Sequence, residues 1–86
     1  MDISVAFGWS VKLRRTELGI NQETLADQAG VARSFLSAIE RGASQASIGT
    51  VWKLAKALEC KPSDLWLTAE ALYVSRTARS RKTENH

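Results

Sequence analysis

Residues 21–42, NQETLADQAGVARSFLSAIERG, are punctuated as two short helices joined by a tight turn. Asn21 is a good N-cap, because its side-chain oxygen can accept from the orphan amides of a first helical turn. Leu25, Ala26 and Ala29 mark one apolar face of a helix over about residues 22–29. Gly30 follows, the residue type that enters the left-handed conformation at a helix end without steric penalty. Val31 is expected to plug the corner. A second helix over about residues 33–41 buries Leu36 and Ile39, and Gly42 closes it. Arg33, Ser34, Ser37, Ala38 and Arg41 are left on the faces the core does not use. Such a helix suits the major groove of B-DNA, which admits one α-helix. Two core helices with a charged outer face are the plainer alternative, and periodicity alone favours it.

The same segment resembles the helix-turn-helix of the Xre family, the Cro and phage-repressor type of DNA-binding domain. The resemblance is carried by Gln22 opening the first helix, by Leu25-Ala26, by Gly30-Val31, and by the Ile39-Glu40-Arg41-Gly42 ending. It extends over roughly Phe7 to Trp66. It implies an all-α fold, a compact five-helix bundle with a recognition helix, and double-stranded DNA as partner. It also implies that Arg15 pairs with Glu40, tying the first helix to the recognition helix. Asn21 and Gln22 would lie against the DNA backbone, with Gln22 also in reach of a base edge.

Composition bounds the alternatives. Eighty-six residues with 44% apolar content make one small folded domain. No secretory segment and no bilayer-length apolar run are visible, so a cytoplasmic, non-membrane protein is expected. The lone Cys60 and lone His86 give neither a metal-ligand cluster nor a nucleophile–base pair. No enzyme activity, metal, cofactor or small-molecule ligand is therefore expected. Twelve basic and nine acidic residues leave +3. Arg76, Arg79, Arg81 and Lys82 against Glu84 hold that whole excess, so residues 1–75 are neutral overall. A basic footprint on the domain must come from charge placement.

In chain order, Asp2 or Ser4 caps a first helix running to about Leu18 before Gly19 ends it. Phe7, Val11 and Leu18 form its core stripe. Val5, Trp9 and Leu13 form a second line on the far side, covered by the C-terminal segment of the same chain, covered by a second subunit, or left as an exposed tryptophan patch. Ser47 caps a fourth helix with Ile48, Val51, Leu54, Ala55 and Leu58 as its stripe. Cys60 reads as a small core hydrophobe. Pro62 suits the first turn of a fifth helix, where its missing N–H is no loss. That helix runs to about Val74 or breaks near Thr68. Residues 1–74 are thus the domain, and 75–86 a basic tail without apolar period, expected to be disordered. The tail either brushes DNA phosphates or is simply solvated. Trp52, Trp66 and Tyr73 are more aromatic surface than a small monomer hides. Aromatics favour interface cores, and the C-terminal helices dimerise many members of the resembled family. A twofold homodimer is expected.

Arg33 is the side chain expected to read sequence, by a bidentate pair to guanine O6 and N7. Ser34 and Ser37 are ambivalent donors or acceptors, and Ala38 offers a methyl. Arg41 and Ser44, or Gln45, are phosphate candidates; Arg41 alternatively interacts with its own helix dipole. Phe35 is core or presses on the sugar-phosphate chain, with core favoured. Ala32 replaces the usual polar N-cap, a departure worth ~1 kcal/mol of local helix stability. The expected function is a transcriptional regulator binding a (pseudo)palindromic operator as a dimer, such as an autoregulated restriction-modification controller. A lysogeny-type repressor or a chromosomal regulator fits nearly as well. The alternative is an antitoxin that holds a toxin protein, with DNA binding as feedback.

Overall fold

A computed structural model describes the backbone of residues 1–84 and the side chains of residues 1–76. It contains five helices: α1 (Ile3–Glu17), α2 (Gln22–Ala29), α3 (Arg33–Glu40), α4 (Ile48–Ala57) and α5 (Pro62–Glu84). Among the described residues there is no strand, and no helix is long and apolar enough to cross a membrane.

The helices α1, α2, α4 and α5 start where a side chain or a proline makes starting favourable. Asp2, Asn21 and Ser47 accept from Ser4, Thr24 and Thr50 amides at 2.7, 2.8 and 3.1 Å. At α5, Asp64 reaches back to the Lys61 amide at 2.9 Å, and Pro62 is the first helical residue. α3 begins at Ala32 without a side-chain cap.

The first four helices end with one hydrogen-bond pattern, in which a residue in the left-handed region closes the last turn. At α2, Gly30 adopts φ +70°, its amide donates to Asp27, and the Val31 amide donates to Ala26 at 3.0 Å. At α4 the same position is Glu59, with φ +56°, and the Cys60 amide donates to Ala55 at 3.0 Å. A side chain with a Cβ is strained there. Glu59→Gly is therefore expected to raise stability by up to ~1 kcal/mol, read as a higher urea midpoint with an unchanged slope.

The core is built from the stripes of all five helices: Val11, Leu25, Ala26, Ala29, Leu36, Ile39, Leu54, Ala55, Leu58 and Leu65 are buried together. Phe7, Leu18, Val31, Phe35 and Cys60 pack at its edge. Each fully buried leucine contributes roughly 1.5–3 kcal/mol relative to exposure. α1 is the hub. It packs along α5 and crosses α3, and it presents Ala6, Gly8, Ser10 and Val11 inward. The side of α1 that meets its neighbours is thus set by small residues, which let backbones approach.

One expectation is overturned. α5 does not stop near Val74 or break at Thr68; it continues to Glu84, through most of the stretch expected to be disordered. Residues 75–84 contain no glycine or proline, and arginine, alanine and lysine propagate an existing helix without needing an apolar face. Ser75 and Arg76 are exposed, and the side chains of residues 77–86 lie outside the described residues. On the second line of α1, Val5 is half-buried. Trp9 and Leu13 remain 43% and 42% exposed, with Lys12 Nζ 5.3 Å from the Trp9 ring centroid.

Candidate nucleic-acid interface

α3 stands on the core through Leu36 and Ile39, which are 0% and 1% exposed, with Phe35 half-buried beside them. On the opposite side Arg33 and Ser34 are exposed, and Ser37 and Ala38 are half-buried. Arg41 follows at the C-cap, exposed, and its Nη1 donates to Ser37 Oγ at 2.6 Å. The two cations therefore sit at the two ends of one face, with small side chains between them. A long side chain in the middle would hold the helix away from a groove floor.

The flank is formed by the start of α2. Asn21 uses its Oδ1 as the helix cap. Gln22 is half-buried and donates from Nε2 to Glu40 Oε1 at 3.0 Å. The rest of the outer face of α2 carries Glu23 and Asp27, both exposed, which repel a polyanion. The helix dipole is positive at the N-terminal end of α2, where Asn21 and Gln22 stand, and Glu23 in the same first turn opposes it. Ser44 is half-buried, and its amide donates to the Ala38 carbonyl at 3.3 Å. With Gln45 it also lines a surface cavity of about 270 Å³, together with Ile3, Phe7, Val51, Pro62 and Trp66. The structure thus brings Asn21, Gln22, Arg33, Ser34, Ser37, Ala38 and Arg41 onto α2–α3, while Ser44 lies where the following loop turns towards α1 and α5.

Behind this face Arg15 joins α1 to α3. Its Nε donates to Glu40 Oε2 at 2.8 Å and its Nη2 to Oε1 at 3.0 Å, with Nη1 on the Ile20 carbonyl at 3.0 Å. The hydrogen bond to Glu40 pushes the Arg15 pKa up, against a smaller opposing effect of burial. A folded value above the unfolded one stabilises at all lower pH and is lost only as pH climbs past the ordinary arginine range. Arg15 therefore stays protonated throughout the neutral range.

Trp52, Trp66 and Tyr73 are 61%, 49% and 36% exposed. Trp66 and Tyr73 share a face of α5, two helical turns apart. Trp52 borders an apolar groove containing Cys60 and Pro62. Burial pushes the Cys60 thiol up, opposed by the nearby Arg14. Native protein is expected to alkylate with iodoacetamide several-fold slower at pH 8 than its urea-unfolded form, and to lose stability as pH rises past the free-thiol range.

Sequence reasoning missed two positioning residues. Arg14 donates from Nε to the Leu58 carbonyl at 3.0 Å and from Nη2 to Glu59 at 3.2 Å, satisfying the end of α4. No spacing rule links residues so far apart. Gly8 faces the Ile39 and Glu40 carbonyls of α3; a lone glycine inside a helical pattern is the signal that marks such an approach.

Comparison with known proteins agrees with this geometry. The helix-turn-helix family model matches residues 11–65. The control protein C.BamHI of Bacillus amyloliquefaciens is 35% identical over 65 residues, 74% of this chain and 80% of that protein. The crystal structure of the restriction-modification controller protein C.AhdI from Aeromonas hydrophila is 40% identical, with a TM-score of 0.71 over 72% of this chain and 94% of that one. The clp gene regulator ClgR from Corynebacterium glutamicum superposes with a TM-score of 0.91 over 98% of this chain and 89% of its own; at 21% identity this is a likeness of fold.

Proposed function

This chain belongs to the helix-turn-helix family, and from that premise we propose that it is a sequence-specific, double-stranded DNA-binding transcriptional regulator of the restriction-modification controller type. The observation that carries the reading is the outward face of α3, anchored from behind by Leu36 and Ile39 and bearing Arg33, Ser34 and Ser37. Arg33 reads a guanine edge. Asn21 and Gln22 hold the DNA backbone at the start of α2, and Arg41 does so at the end of α3. Phosphate contacts fix register, and base contacts fix sequence. So few base-reading side chains per chain need doubling, so the protein acts as a homodimer on a pseudo-palindromic operator with half-sites about one helical turn apart. Trp52, Trp66 and Tyr73 supply the apolar core of that interface. The antitoxin alternative has no counterpart among the relatives described above.

The test is selection of bound duplexes from a random pool, followed by titration of the selected site. Arg33→Ala is expected to weaken that site roughly 5- to 150-fold and to relax one position per half-site. Binding to unrelated duplex should change little. Equal loss on every sequence would make Arg33 a phosphate anchor, and a pool that enriches nothing would overturn the proposal.

A further inference from the structure

Glu40 sits where three helices meet. It ends α3, is 8% exposed, and takes three donors on two oxygens. Two come from the Arg15 fork of α1, and the third is Gln22 Nε2, from the first residue of α2. The fork already neutralises the carboxylate and satisfies both oxygens. The Gln22 contact is not needed for charge balance, so its consequence falls on Gln22 itself. A primary amide has two N–H groups and one oxygen. Committing one N–H to a rigid, buried acceptor fixes the amide plane and leaves the second N–H and Oε1 unused by Glu40. Arg15 matters to the same contact by a second route: a bare carboxylate behind Gln22 would repel a phosphate, and a neutralised one does not.

We propose that Glu40 is a positioning residue for DNA binding: through Gln22 Nε2 it presets the amide that meets the DNA backbone, so the α1–α3 ion pair and this contact work as one unit. The inference rests on the DNA-binding reading above. It makes Gln22 a pre-oriented ligand whose value depends on a buried group, where an ordinary surface glutamine would order itself on binding at an entropic cost.

The test uses the full chain and its selected operator. Gln22→Ala is placed in the native background and in Arg15→Met/Glu40→Met, which removes the acceptor and leaves no lone buried charge. In the native background it is expected to weaken binding about five- to tenfold. In the double-substituted background the same change should cost less than about twofold. The slope of log K against log salt should stay unchanged, because a neutral amide releases no counterion. Equal losses in both backgrounds, or none in the native one, would overturn the inference. A native protein that ignores duplex DNA altogether would instead overturn the reading beneath it. Should the double substitution not fold, the native protein is read by NMR. One Gln22 side-chain amide proton should be protected from exchange and keep its shift on adding operator, while its geminal partner moves. Two protons exchanging as free amides would refute the positioning role.

Discussion

Gly8→Ala should lower the unfolding free energy by about 3 kcal/mol, although alanine ordinarily strengthens a helix interior by roughly 0.5–1 kcal/mol over glycine. The sign is reversed by what a Cβ would meet. At Gly8 it would strike the Ile39 carbonyl oxygen and lie 2.7 Å from the Glu40 oxygen and 2.9 Å from its carbonyl carbon. These are backbone atoms of the last turn of α3, and they cannot rotate aside. Either α1 lifts off or α3 shifts, and both are held by Val11, Leu36 and Ile39 in the buried core. For a domain of this size the loss corresponds to a fall in Tm of roughly 12–24 °C. Gly49→Ala is the control. Glycine 49 also lies within a helix, but a Cβ there meets only Ser47 Oγ, at 3.9 Å, so that change should be neutral or slightly stabilising. Thermal and urea unfolding of the two variants, side by side, reads the difference. A Gly8→Ala protein as stable as Gly49→Ala would mean that the two helices do not cross as closely as described.

That crossing is also where legibility in the sequence ends. The helix-turn-helix could be read because its information is local: a cap at Asn21, a left-handed glycine at Gly30, and apolar residues at helical spacing that leave Arg33 and Ser34 outside. Each of those features acts within one or two turns of chain. Gly8, Arg14 and Gln22 act on partners far away in sequence, and nothing in their immediate surroundings names those partners. The Arg15–Glu40 pairing follows only from the family resemblance, not from periodicity. The length of α5 is not legible for a different reason. The absence of an apolar stripe after Val74 removes tertiary packing, but it does not remove helix propensity, and residues 75–84 have enough of it to continue. Hydrophobicity likewise places Trp9 and Leu13 on one face of α1, but what covers that face is not local information; the chain buries the small Ala6, Gly8 and Ser10 instead.

Arg15→Met should cost about 3–5 kcal/mol, yet adding Glu40→Met to it should recover most of that loss. Side-chain exposure is 14% for Arg15 and 3% for Glu40, so the carboxylate left behind cannot be hydrated without opening the α1–α3 contact. Taking the pair apart therefore exposes the desolvation of Glu40, not the modest worth of the bridge itself. With both groups replaced by apolar side chains of similar length, no charge is stranded, and the double variant should sit within about 1–2 kcal/mol of the native protein. Urea unfolding of the four proteins of this cycle measures the coupling. Added salt should hardly change it, because a buried pair is little screened. If the single and double variants are equally destabilised, the loss belongs to packing of the arginine stem. The ion pair would then be a surface feature that α1 and α3 do without. The stability cycle also fixes the reference for operator binding: a double variant that folds but binds DNA poorly would separate the pair's part in orienting Gln22 from its part in holding the bundle together.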